Sequence, residues 1–174
     1  MIVLYIIIAI VLIILILGMI APKTYHVERK IVVDRPISEV FNYIKFLKKQ
    51  DEWSPWAKRD PNIKHEYRGT DGEVGFVAAW EGNKEVGTGE QEIKRIVENQ
   101  RLESELRFLK PFKSTSDAYI NVKEVDPNST EVAWGFSGKN AFPINIMMLF
   151  MNMEKTVGKD FEEGLESLKA QLQG

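Results

Sequence analysis

Residues 143–171, PINIMMLFMNMEKTVGKDFEEGLESLKAQ, hold the longest helical pattern outside the N-terminus. Phe150, Met153, Val157, Phe161, Leu165, Leu168 and Leu172 recur at helical spacing, with Lys159, Asp160, Glu162, Glu163, Glu166 and Lys169 opposite them. The spacing predicts one helix from about Pro143 to Gln171, about 43 Å long at 1.5 Å per residue. Its second half carries a single apolar stripe. Its first half, with Phe142, Ile144, Ile146, Met147, Met148, Leu149, Phe150, Met151 and Met153, is apolar almost all round. Such a surface needs a second apolar neighbour, which could be a ligand, a membrane, a partner or the loops around Trp53 and Pro111. Gly158 and Gly164 each cost the helix about 1 kcal/mol against Ala, a loss that close packing would offset.

Upstream of this helix the period changes to two. Val74, Phe76, Ala78 and Trp80 alternate along one face, and Leu102, Leu106 and Phe108 along another, with Glu103, Glu105 and Arg107 pointing away. Ala118, Ile120 and Val122 form a third set; Val132, Trp134 and Phe136 form a fourth. Asp71-Gly72, Gly82-Asn83, Asn99-Gln100 and Pro127-Asn128 punctuate these runs, which therefore read as antiparallel strands joined by turns. Polar residues on one face imply that only the other face is covered. Thr24 to Asp34 is a further β-rich run. Pro36 then opens a helical stripe of Ile37, Val40, Phe41, Ile44 and Leu47, which ends in solvent at Lys48–Glu52. Trp53-Ser54-Pro55-Trp56 is too short and proline-broken for a long element. The order is strand, helix, short helix or turn, six strands and long helix. An α+β fold in which an antiparallel sheet buries one face under the terminal helix satisfies it.

Ile2 to Ile20 contains only Ile, Val, Leu, Met and Ala apart from Tyr5 and Gly18. As a helix it spans about 28 Å, close to the hydrocarbon thickness of a bilayer. A cleaved signal peptide would have a basic n-region and a small-residue cleavage site; here no basic side chain precedes the run, and Pro22 follows Ala21. The reading is a retained transmembrane anchor over residues 1–21 and one domain over residues 22–174. Lys23, Arg29, Lys30 and Arg35 follow the span, which favours a cytoplasmic domain by the positive-inside rule.

The 23 basic and 25 acidic side chains are interspersed, with a net charge of -2 and no basic block, so no nucleic-acid footprint is present. The absence of cysteine excludes disulfides, zinc–thiolate sites, iron–sulfur clusters and thiol catalysis. The two histidines, His26 and His65, are far apart and read as surface or strand residues, and no metal-ligand spacing or Ser-His-Asp set is visible. Gly87-Thr88-Gly89 lacks the helix that a phosphate loop needs. Glu81, Glu85, Glu90 and Glu92 could supply a buried acid or base, but ordinary outer-face glutamates paired with Lys84 or Lys94 fit the pattern better.

Four segments carry a resemblance: Val32-Val33-Asp34-Arg35-Pro36-Ile37-Ser38-Glu39-Val40-Phe41, Trp53-Ser54-Pro55-Trp56, Phe108-Leu109-Lys110-Pro111-Phe112 and Gly158-Lys159-Asp160-Phe161-Glu162-Glu163-Gly164-Leu165. Over residues 24–172 the chain resembles the helix-grip superfamily of START-like (SRPBCC) domains, and within it the polyketide cyclase/dehydrase-like bacterial members. The resemblance implies a curved seven-stranded antiparallel sheet gripping the C-terminal helix, with a hydrophobic tunnel for a lipid, quinone or polyketide-like molecule. A minority of such domains are enzymes. No cofactor is implied, and the oligomeric state stays open. With the apolar N-terminal run, the expectation is a single-pass protein of a bacterial inner membrane.

The expected ligand-binding residues are Trp53, Trp56, Phe76, Trp80, Leu106, Phe108, Phe112, Trp134, Phe136, Met147, Phe150 and Met151, since aromatic and methionine walls suit an apolar guest. Trp53 and Trp56, in a segment without periodicity, read as a mouth or lid. Trp80 and Trp134 fit core packing and pocket lining equally. A cyclase, dehydratase or hydrolase acting on an apolar substrate, and a non-catalytic interaction domain, are the competing functions.

Overall fold

The apolar N-terminal run forms a helix, α1 (Ile2–Ile20), and Thr24–Val33 forms strand β1. The computed structural model describes residues 1–150 and 152–174. Three short helices follow: α2 (Ile37–Ile44), α3 (Leu47–Trp53) and α4 (Pro55–Arg59). Six strands come next, β2 (Lys64–Arg68), β3 (Val77–Glu81), β4 (Thr88–Val97), β5 (Arg101–Lys110), β6 (Ser114–Asp126) and β7 (Ser129–Lys139). A 3-10 helix (Ile144–Leu149) leads into the terminal helix α5 (Met153–Gln173). The strands form one seven-stranded antiparallel sheet in the order β1-β7-β6-β5-β4-β3-β2. β1 closes against β7, the last strand, so the chain wraps round and leaves its edges at β1 and β2.

Register determines which side chains share the inner face. Val27 lies opposite Phe136, which pairs with Ala118; Ile120 pairs with Trp134 and Leu102. Irregularities between Ile93 and Arg95 and between Thr88 and Gly89 bend β4 against β5 and add to the curl of the sheet. Asn99, with φ 55°, takes the left-handed conformation that asparagine tolerates and turns β4 into β5.

The inner face of β1, β6 and β7 is filled by α2, α3 and α5. Val40, Phe41 and Ile44, at helical spacing on α2, are fully buried with Phe161, Leu165 and Leu168 of α5. Each such side chain contributes roughly 1.5–3 kcal/mol by leaving water. Trp134 stacks on Phe161 at 4.2 Å, and the Trp53 ring meets Trp134 edge-on at 4.9 Å. The helix glycines have packing reasons. A Cβ at Gly164 would come within 2.6 Å of Trp134, and one at Gly158 would overlap the Arg29 guanidinium. Arg29 reaches from β1 to Glu162 and Glu154 of α5, each at 2.6 Å, so the helix is clamped to the sheet edge where both glycines let it approach.

Three readings need correction. The terminal helix begins at Met153, ten residues later than the periodicity predicts. Asn152 accepts a hydrogen bond from the Lys155 amide and caps the helix, whereas Asn145, inside the expected helix, uses its side chain elsewhere. Lys48–Glu52 does not end a helix in solvent. It forms α3, whose first free amides, Leu47 and Lys48, donate to the Asp71 carboxylate from the β2–β3 loop. Val74 lies in a loop before β3 and is 63% exposed, so it is not part of the strand's inner row.

Gly18 of α1 is buried and Leu17 half-buried; the other residues of the helix are exposed, with a mean hydropathy of 3.4 over the span. The helix is long and apolar enough to cross a membrane.

Candidate ligand-binding site

α5 packs chiefly on β1, and the inner face of β3, β4 and β5 is left uncovered by it. A cavity of about 700 Å³ occupies the space between that face and the helices. Such a volume suits a small organic molecule. The sheet wall is largely apolar, with His65 of β2 and Gln91 of β4 among its polar members. Ala78 and Trp80 of β3, Leu106 and Phe108 of β5, and Ala118, Trp134 and Phe136 of the following strands line it. Trp80 crosses edge-on to Phe108 at 6.0 Å. It can lie across β4 because its neighbour there is Gly89, where a Cβ would sit 2.6 Å from the indole.

The helical wall is mixed. Met153, Val157, Asp160 and Phe161 face the cavity from α5, at spacings of one helical face. Asp160 is held by Arg59 at 2.5 Å, which neutralises it at the cavity edge. From α3 and its C-terminal boundary come Leu47, Gln50, Asp51 and Ser54, an i, i+3, i+4, i+7 set. Opposite them stands His65 of β2, whose Nε2 lies 3.6 Å from Asp51 Oδ2. Tyr67 donates to the same oxygen at 3.2 Å. Burial pushes the Asp51 carboxyl above its ordinary pKa; the His65 charge and the Tyr67 hydrogen bond oppose that rise. Burial, with Asp51 nearby, also pushes the Tyr67 phenol up to about 12.

Of the residues expected to line a ligand site, Trp56, Trp80, Leu106, Phe108, Phe112, Trp134, Phe136 and Met147 border this cavity. Trp53 does not: it is fully buried in the main core, and its indole N–H has no hydrogen-bond partner among the described residues. It sits on the inward face of α3, so a lid role is ruled out by geometry. Phe76 belongs to a second core cluster with Leu47, Ile93 and Leu102. Phe150 is 80% exposed and borders a smaller groove beside Pro22 and Thr24. Met151 lies outside the described residues.

The glutamates considered as acids or bases fall elsewhere. Glu90 and Glu92 lie on the outer face, where Arg107 bonds to both at 2.7 Å and also to Glu105. The Arg107 hydrogen bonds hold both carboxyls below their usual range. Arg68 adds a second cation on Glu90. Glu81 is exposed, and Glu85, in the β3–β4 loop, borders the cavity but is largely exposed and paired with Arg59 at 3.6 Å. His26 is on the outer face with Tyr119 at 2.9 Å, so only His65 of the two histidines borders the cavity. The pattern of the sequence overlooked Gln50, Asp51 and Ser54 because their helical face is polar, and apolar periodicity does not register such a face. The i, i+3, i+4, i+7 spacing from Leu47 was the available signal.

A bent antiparallel sheet, a terminal helix across part of it and an apolar cavity in the remainder define a helix-grip domain. Solved structures share the fold. Among them are the Zhui aromatase/cyclase from Streptomyces sp. R1128 (TM-score 0.61, 12% identity, covering 86% of this chain and 94% of that one). Another is XoxI from Bacillus cereus (TM-score 0.61, 15% identity, 85% and 95%). A third is Ara h 8.0201 (TM-score 0.59, 13% identity, 86% and 98%). No curated protein matches the chain in sequence. Residues 24–173 match the family described as polyketide cyclase/dehydrase and lipid transport, and the chain belongs to that family.

Proposed function

We propose that this protein is a membrane-anchored binding or carrier domain for a hydrophobic small molecule of lipid, quinone or polyketide-like character. The observation that carries the reading is the cavity of about 700 Å³ beneath a largely apolar sheet wall. Trp80, Phe108 and Phe136 supply broad apolar surfaces without directional demands, which suits a guest recognised by burial more than by hydrogen bonds. Family membership supports the same class of ligand. α1 would hold the domain at the bilayer in which such a guest dissolves, on the cytoplasmic side by the charge rule. The test is native-condition purification of the full chain in a lipid-free detergent, followed by organic extraction and mass spectrometry. A stoichiometric apolar compound is the expected result. A protein that emerges empty and takes up no lipid, quinone or polyketide from mixed micelles would sink the proposal.

A second reading is favoured by one observation: Asp51 and His65 stand together on the cavity wall. A carboxyl raised by burial beside an imidazole could relay a proton to a bound apolar substrate. The variants Asp51→Asn and His65→Gln separate the readings. If they retain the extracted compound unchanged, the site is a container; if they accumulate a chemically different compound, the site is catalytic.

A further inference from the structure

The exposed residues among those that border the cavity lie in the β3–β4 loop, around the β5–β6 turn and from the end of β7 onward, so the cavity opens at that end of the domain, which is joined to α1. The last residue of β7, Lys139, and the segment after it, with Ala141, Ile144 and Met147, contribute to the cavity border. The same segment is fastened to the end of α1. Asn145, fully buried, donates from Nδ2 to the Gly18 carbonyl at 2.8 Å and to the Ala21 carbonyl at 3.4 Å. These are carbonyls at the C-terminus of a helix, which have no intrahelical partner of their own. The Phe142 ring lies where a Cβ at Gly18 would be, and the Asn140 amide donates to the Lys23 carbonyl at 2.9 Å. The other side of the mouth is the β5–β6 turn, with Lys110, Phe112 and Lys113, and the β3–β4 loop, with Glu85 and Val86.

Two properties mark this end off from the rest of the surface. Large apolar side chains are exposed around it: Phe112 at 71%, Phe142 at 51%, Ile144 at 53% and Met147 at 44%. Scattered exposed apolar residues are ordinary, but a group around a cavity mouth beside an apolar helix is not. The second property is charge. Segments 18–27, 108–116 and 139–153 contain four lysines and no aspartate or glutamate, and the β3–β4 loop at the same end adds Lys84 and Glu85, the latter paired with Arg59, in a chain of net charge -2. Lys23, Lys110, Lys113 and Lys139 are all exposed and form no ion pair among the described residues, so their charges are available to a surface that meets this end.

From these features we infer that the cavity mouth docks on the surface of an anionic lipid bilayer, the one α1 spans. Phe112, Phe142, Ile144, Met147 and, beside Pro22 after α1, the exposed Phe150 enter the headgroup–acyl boundary, and the four lysines meet anionic headgroups. An apolar guest then moves between bilayer and cavity without crossing water. The inference rests on the reading of α1 as a membrane anchor and is independent of whether the guest is carried or converted. Apolar burial and attraction to anionic lipid act together in interfacial binding, and each lysine near such a surface shifts the docked–free balance roughly fivefold.

The chain has no cysteine, so single labelling sites can be introduced without background. Full-length Phe112→Cys, Phe150→Cys, Asn128→Cys and Ile10→Cys variants, each carrying the same environment-sensitive fluorophore, are reconstituted into vesicles of phosphatidylcholine and phosphatidylglycerol. Quenching by brominated lipid is then measured. Asn128 lies in the β6–β7 turn, at the far end of the sheet, and serves as the reference. Several-fold stronger quenching at 112 and 150 than at 128 is expected, reduced by Lys110→Glu with Lys113→Glu and by omission of the anionic lipid. Strong quenching at 10 with 112 and 150 no different from 128 overturns the docking while leaving the anchor intact. No quenching at 10 overturns the anchor, and the docking with it. Quenching at 112 and 150 that ignores both the lysine changes and the lipid charge overturns the anionic recognition.

Discussion

Trp53 shows how a single side chain can be misjudged from its neighbours in sequence. Its proline-flanked setting suggests a loop, yet the residue ends α3 and drives its ring against Trp134. Because its N–H is unpartnered among the described residues, Trp53→Phe is expected to cost little, the lost ring area being offset by removal of a buried donor. Trp53→Ala should cost about 3–5 kcal/mol by leaving a cavity. Urea titrations of the two variants check the contrast. Asp51 offers a pH test. Its pKa is raised on folding, so the native state holds the proton more tightly than the unfolded chain does. Its contribution therefore favours the fold below the ordinary aspartate pKa and declines as pH rises through the raised value. Asp51→Asn should remove that decline and raise stability at neutral relative to acidic pH. It should also bring the Tyr67 phenol down from about 12, because the nearby negative charge is gone. Ultraviolet titration of tyrosinate follows the second effect.

At the scale of elements, α5 and the outer face of the sheet respond to different changes. α5 is held by apolar burial and by Arg29, against which Gly158 packs. Gly164→Ala should destabilise by about 1–3 kcal/mol despite better helix propensity, because Trp134 and Pro55 leave no room for the methyl. Thermal unfolding reads this directly. On the outer face, Arg107 joins Glu90, Glu92 and Glu105 across β4 and β5. The lowered pKa values of Glu90 and Glu92 place this contribution at full strength above the ordinary glutamate range, to be lost as pH falls through their folded values. Arg107→Gln should therefore cost about 1 kcal/mol at neutral pH, near the upper end for exposed pairs, and almost nothing once these glutamates are protonated. Denaturation midpoints across that pH range would show the two curves converging in acid.

For the whole molecule, the division of the sheet into a helix-covered part and an open part is what creates a cavity. Ala78 lines that open part. Ala78→Phe should fill it and reduce uptake of an apolar guest at least tenfold while the protein stays folded, since the new ring enters empty space rather than packed core. A ligand-partition assay alongside circular dichroism separates loss of binding from loss of fold. The strand sequence, the amphipathic half of α5 and the apolar α1 could all be read in the chain because local periodicity reports burial. So could Trp80, Leu106, Phe108 and Phe136, whose alternation puts them on one face. The inward polar row of Gln50, Asp51 and Ser54 could not, because nothing in a polar spacing says which way it points. The late start of α5 was hidden for a related reason: Asn145 has its partners at Gly18 and Ala21, over a hundred residues away. The order and type of the elements thus follow from patterns within short windows of the chain. Where the cavity lies, which carboxyl meets His65 and why the mouth abuts α1 come from contacts between distant segments, because packing and strand register bring together residues whose spacing along the chain carries no trace of the encounter.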